Sequence, residues 1–146
     1  MTSRLPASER RAVVLDTACR VFCRATYRSA TTAEIAREAG VTEPIIYRHF
    51  ASKRLLYLAC VEEEWRRVRR ATDAAPAGGR AALERETESL AKLWAQLLAE
   101  ANADPELRAF LRRHLREVHV VVSRVLGSPA EARAFIAGRL LGDIAP

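Results

Sequence analysis

A chain of 146 residues with 49% hydrophobic and 29% charged residues is neither a disordered polar tract nor a membrane protein, and has room for a small reading head joined to a modest second helical domain. Its net charge of +6 is unevenly placed, because up to Arg54 ten basic residues stand against five acidic ones while the remainder is close to neutral. A basic front end is the footprint of a polyanion binder, whether nucleic acid or an anionic membrane surface; with no run of the roughly 18 apolar residues a span needs and no apolar leader, a cytoplasmic location is expected.

Glycine and proline punctuate a helical text with no sustained period-two alternation, so the fold class is all-α. A first helix is expected over residues 9–25, with Ser8 as N-cap and Val14, Leu15, Ala18, Val21 and Phe22 forming one apolar stripe. A second opens at Thr31-Thr32-Ala33-Glu34, a capping box in which hydroxyl and carboxylate each take the other's orphan amide, and stops at Gly40. A third follows Thr42, with Pro44 tolerated in its first turn, and ends near Phe50. Ser52 caps a long fourth helix to about residue 71, where Glu62 and Glu63 precede Arg66 and Arg67 by four residues, an exposed ion-pair pattern. Residues 73–79, rich in Ala, Gly and Pro, have the composition of a linker. Further helices are expected over residues 80–101 and 104–126, and a seventh starts at the capping box Ser128-Pro129-Ala130-Glu131. The domains expected are 1–54, a helix-turn-helix unit, and 55–146, a helical regulatory unit made of the connector helix, the linker and helices five to seven.

Two short helices joined by a glycine turn have the spacing of a helix-turn-helix, whose second helix enters the major groove. Ile35, Val41, Ile46 and Phe50 supply the buried side of the angle, Ala36 is small where the helices cross, and Gly40 allows positive φ. Periodicity turns Pro44, Ile45 and Arg48 away from that core and leaves Tyr47 and His49 on the flanks. On this face Ile45 suits a thymine methyl, Arg48 a guanine or phosphate, and Glu43 a cytosine amine.

The run Val14-Leu15-Asp16, Ala18, Val21-Phe22, Thr31-Thr32, Ile35-Ala36, Ala39-Gly40-Val41, Ile46-Tyr47-Arg48-His49-Phe50 and Lys53 resembles the DNA-binding region of the tetracycline-repressor (TetR) family. The resemblance implies a homodimer on double-stranded operator DNA, a three-helix reading head, a connecting fourth helix, and a C-terminal domain holding a small-molecule pocket and the dimer interface. Inducer binding would move the fourth helix and change the separation of the two heads. Carried over by position, Thr42, Glu43, Pro44, Ile45 and Arg48 match the family's base-reading face, and Thr32, Tyr47, His49 and Lys53 its phosphate contacts. Two departures stand out. Thr26 precedes Tyr27 where the family has glycine, which predicts a strained or differently capped end to the first helix. The chain also ends at Pro146, soon after the seventh helix starts, so the family's dimerisation helices are expected to be missing, and either the form is a truncated or unusually short one or dimerisation uses other surfaces.

Trp94, Leu97, Leu98, Phe110, Leu111, His114, Leu115 and Val118 recur at helical spacing. Core packing explains such a stripe; an inducer pocket walled by Trp94, Phe110 and His114 is the sharper alternative. His114 and His119, five apart, do not share a helix face, and Cys19, Cys23 and Cys60 read as reduced packing thiols, so no metal or cofactor is expected. Arg66, Arg67, Arg69 and Arg70 read as a solvated helix end. No phosphate loop, nucleophile elbow or paired carboxylates argue for an enzyme. The readings that follow are a ligand-responsive transcriptional regulator, more often a repressor, or a truncated interaction module that pairs with a full-length relative to bind DNA.

Overall fold

The computed structural model describes residues 6–140, and the chain termini named above lie outside them. Its helices are α1 (Ala7–Arg24), α2 (Thr32–Ala39), α3 (Glu43–His49), α4 (Lys53–Asp73), α5 (Gly79–Glu86), α6 (Glu88–Ala101), α7 (Pro105–Leu126) and α8 (Pro129–Phe135). A 3-10 turn precedes α5 at Pro76–Gly78, and a π-helical turn follows α8 at Ile136–Leu140. No described helix is long and apolar enough to cross a membrane.

The chain divides into two compact units, Met1–Glu62 and Glu63–Pro146, with the boundary inside α4. The first unit therefore extends past residue 54, because the opening turns of α4 bury Leu56, Tyr57, Cys60 and Val61 in its core. Tyr57 meets the Phe22 ring edge-on at 5.0 Å, and the Cys60 thiol donates to the Leu15 carbonyl at 3.9 Å. Val14, Ala18, Val21, Phe22, Ile35 and Ile46 complete that core. Burying these apolar groups is what holds the two short helices, α2 and α3, which would be marginal alone.

Local chemistry sets where the helices begin and end. α1 starts one residue before Ser8, on Pro6, whose fixed φ suits a helix entry and whose carbonyl accepts from the Arg10 amide at 2.9 Å. Its end needs no left-handed residue: Ala25 is extended, and no described non-glycine residue has positive φ. Thr26 instead forms a reciprocal cap with Ser29. Each hydroxyl accepts the other residue's amide, at 3.1 Å and 3.0 Å, which removes the strain expected at this departure from the family pattern.

At α2, Thr31 Oγ1 accepts from the Glu34 amide at 3.1 Å, but the Glu34 carboxylate does not close the box. Arg24 takes it, at 2.9 Å, together with Glu38, fastening the end of α1 to α2. The Arg24 hydrogen bond holds the Glu38 carboxyl below its ordinary range. Being solvent-exposed, this pair orients more than it stabilises. Ser52 caps α4 by accepting from the Leu55 amide at 3.1 Å. Farther along that helix Glu63 pairs with Arg66 and Arg70, and Glu64 with Arg67.

In the second unit, residues 73–79 do not behave as a linker between bodies. Gly79 is buried at the start of α5, where a Cβ would stand 2.7 Å from Val125 Cγ1, so glycine here permits a close approach to α7. The helix expected over residues 80–101 is broken at Thr87, whose hydroxyl donates to the Leu83 carbonyl at 2.7 Å and draws that acceptor away from the helical ladder. Asp104 caps α7, accepting from the Glu106 and Leu107 amides at 2.9 Å and 3.1 Å. Ser128 caps α8 by accepting from Glu131, whose carboxylate pairs with Arg80. The core of this unit is Leu83, Leu90, Leu93, Trp94, Leu97, Leu111, Val118 and Val122.

Candidate functional site

The corner between α2 and α3 rests on Gly40, which is left-handed at φ 67°, ψ 31°. Its amide donates to Arg37 O at 3.3 Å and the Val41 amide to Ala36 O at 3.0 Å, the paired bonds of a Schellman turn. This stops α2 abruptly and lets α3 leave at an angle. α3 buries only Ile46, with Phe50 buried just past its end. Truncating Ile46 to Ala costs roughly 2–5 kcal/mol by the usual cavity scale.

The opposite side of α3 is open. Thr42, Pro44, Tyr47 and Arg48 are exposed, while Glu43, Ile45 and His49 are half-buried. Ile45 is thus less protruding than the sequence suggests, and Arg48 is the side chain that stands clear. Thr42 precedes the helix in extended conformation but its side chain makes no capping bond. His49 has its Nε2 buried without a hydrogen-bond partner. Lys53 is half-buried, with Nζ 4.8 Å from the centre of the Tyr27 ring, a cation–π contact that aims the ammonium at the start of α4.

Two of the candidate contacts are coupled in a way that spacing alone does not reveal. Thr32 is buried; its hydroxyl donates to Glu43 Oε2 at 3.1 Å and lies 3.0 Å from the Tyr47 hydroxyl. The three side chains tie α2 to α3 across the glycine corner. Glu43 therefore helps hold the angle between the helices, besides lying on the exposed side.

In the second unit, Trp94, Phe110 and His114 do come together, but as buried groups. His114 stacks on Phe110 at 5.6 Å and meets Trp94 at 5.4 Å. Trp65, which the sequence does not single out, closes the group with its ring 6.2 Å from His114. The indole Nε1 of both tryptophans and Nε2 of His114 are buried with no hydrogen-bond partner. Burial, assisted by nearby Arg113, pushes the imidazole down to about 4, so it is neutral at ordinary pH. His119 lies apart, on the wall of an open groove of about 450 Å³ with Leu115, Val120 and Ile136. Among the described residues no three His, Cys, Asp or Glu side chains are grouped to hold a metal ion, and the three cysteines are free thiols.

Residues 14–60 match the sequence profile of bacterial regulatory proteins of the tetR family. The chain carries the helix-turn-helix domain of that family. The match starts at Val14 and ends at Cys60, which are the first and nearly the last buried residues of the first unit. The transcriptional activator FasR of Mycolicibacterium smegmatis is 39% identical over 97 residues, a region that covers 66% of this chain and 41% of FasR. The chain thus spans about two fifths of the length of that relative. Among solved structures, a Rhodococcus sp. protein assigned to the TetR family superposes with a TM-score of 0.69 at 20% identity, covering 94% of this chain and 90% of the other. The fatty acid degradation regulator FadR of Bacillus halodurans gives 0.63 at 18% identity, covering 86% of this chain and 68% of its own. At such identities these two structures establish the all-helical TetR fold and nothing finer.

Proposed function

We propose that this tetR-family chain is a sequence-specific DNA-binding transcriptional regulator that works as a homodimer and responds to a small molecule. The observation that carries the reading is the face of α3: a single buried anchor, Ile46, behind an exposed Pro44, Tyr47 and Arg48, on a short helix set off by a left-handed glycine. Such a helix is thin enough to enter a major groove, and Arg48 makes no ion pair within the described residues that would have to be broken first. Arg48, Ile45, Pro44, Thr42 and Glu43 are assigned to base edges; Thr32, Tyr47, His49 and Lys53 are assigned to phosphates. The Thr32–Glu43–Tyr47 link supports that division by holding both helices at one fixed angle.

Responsiveness to a ligand is supported by the group around His114. Three buried polar atoms without partners lie on rings in mutual contact, an arrangement suited to a small polar molecule taken up between the helices. FasR is an activator, so repression is not assumed. The test is a fluorescence-anisotropy titration against DNA flanking the gene, with salt varied. Expected are binding that survives competitor DNA and a log affinity that falls linearly with log salt. Equal affinity for flanking and random duplexes would reject sequence-specific regulation.

A further inference from the structure

The second unit holds an open recess that its own packing leaves unfilled, the groove of about 450 Å³ between α7 and the end of α8. None of the side chains lining it belongs to the enclosed group around His114. From α7 come Leu115 and His119, four residues apart on one helix face, and Arg116 and Val120, four apart on the adjoining face. From the other side come Arg133, in α8, and Ile136, in the π-helical turn. Such turns are rare and recur at functional sites, and here one forms a wall of the recess. Val120 is 58% exposed, the most exposed large hydrophobic side chain among the described residues. The walls of Leu115, Val120 and Ile136 thus present apolar surface to water without an apolar partner across the gap.

The charges bordering the groove are of one sign. Arg116 and Arg133 are exposed, and neither makes an ion pair or hydrogen bond within the described residues; no acidic side chain among those residues lines the groove. Arginines elsewhere in the unit are engaged: Arg80 pairs with Glu131, and Arg139 donates to the Glu84 carbonyl at 2.7 Å. Two unneutralised guanidiniums beside apolar walls complement a molecule with one anionic end and an apolar body. We infer that this groove binds a small amphipathic oxyanion, a carboxylate or phosphate monoester on an apolar chain, whose apolar part lies against Leu115, Val120 and Ile136 while Arg116 and Arg133 hold its anionic end. The volume falls within the range of small-molecule sites. A recess suits a molecule that enters it, whereas an anionic membrane surface is met by a projecting apolar helix face. The site is separate from the group proposed above to take up a small molecule, and its occupancy does not rest on DNA binding.

The experiment is a ligand-observed NMR titration of the full chain with decanoate and decyl phosphate, both kept below micelle formation, and with decan-1-ol and acetate. Co-sedimentation with phosphatidylglycerol vesicles runs in parallel. The variants are Arg116→Ala combined with Arg133→Ala, and Val120→Gln; all three positions are exposed, and far-UV circular dichroism checks that each protein is folded. The expected result is saturable binding of an amphipathic anion, with decan-1-ol and acetate each weaker by roughly tenfold or more, the size of one charge-assisted hydrogen bond. The double arginine variant should bind the anion no better than the alcohol, and Val120→Gln should weaken anion and alcohol alike. Neither anion binding more tightly than decan-1-ol, or capture by vesicles alone, would overturn the site. An anion bound with unchanged affinity by the double arginine variant, with a shift in tryptophan emission, would place it in the enclosed group instead; that removes the groove and leaves the reading of the His114 site. Arginine-dependent anion binding by a chain that recognises no duplex removes the regulator and leaves the groove.

Discussion

Acidifying the protein from pH 7.5 to pH 4 should destabilise the second unit through His114, and the size of the effect can be worked out. The imidazole is pushed down to about 4 in the folded chain, by burial first and by Arg113 second, from an ordinary 6.5. Above pH 6.5 both folded and unfolded chains hold it neutral, and it contributes no pH dependence. Between 6.5 and 4 the unfolded chain takes up a proton that the folded chain refuses, so stability falls throughout that window; below about 4 the loss is complete. At about 1.4 kcal/mol per pH unit the full loss is roughly 3 to 4 kcal/mol. Urea unfolding followed by intrinsic fluorescence reads this unit selectively, because the protein's two tryptophans, Trp65 and Trp94, both belong to it and both flank the imidazole. Carboxylates titrate in the same range, so the quantity to compare is the difference between the natural chain and His114→Phe, which keeps a ring against Phe110 but cannot take a proton. The natural chain should lose about 2 kcal/mol more than the variant between pH 7 and pH 5. Identical pH profiles for the two would show that the imidazole is neither buried nor depressed as described.

Other outcomes follow from single positions. Gly40→Ala should cost about 1–2 kcal/mol through backbone strain alone, since a Cβ there meets nothing within 4 Å; thermal melting of the first unit measures it. Gly79→Ala should cost roughly 1–3 kcal/mol through a steric clash, because its Cβ would sit 2.7 Å from Val125 Cγ1, and adding Val125→Ala should recover part of that loss. Against operator DNA, Arg48→Ala should cost about 1–3 kcal/mol and relax base preference, whereas Lys53→Ala should weaken all sequences alike and reduce the salt slope by about 1. Losses of the same size and kind in both variants would refute the division between base and phosphate contacts.

The sequence by itself determined the helical periods, the glycine corner and the faces of α3, because these depend on neighbours three and four residues apart and on the few residues that tolerate particular backbone angles. Thr31, Ser52 and Ser128 each cap the helix they precede for the same local reason. What only the tertiary structure decided involves partners far apart in the chain. Glu34 could have closed its capping box, yet Arg24, ten residues earlier, takes the carboxylate. Thr26 escapes strain through Ser29, a local solution that competes with the glycine pattern and that no period announces. The tie of Thr32 to Glu43 and Tyr47 spans 11 and 15 residues across the corner, and Trp65 joins Trp94 and His114 from another helix. Gly79 ends a stretch with the composition of a linker and is instead buried at the start of α5, where a Cβ would crowd Val125. Periodicity tells which side of a helix is buried; which distant side chain meets it there depends on how the helices cross, and that is settled only when the whole core packs.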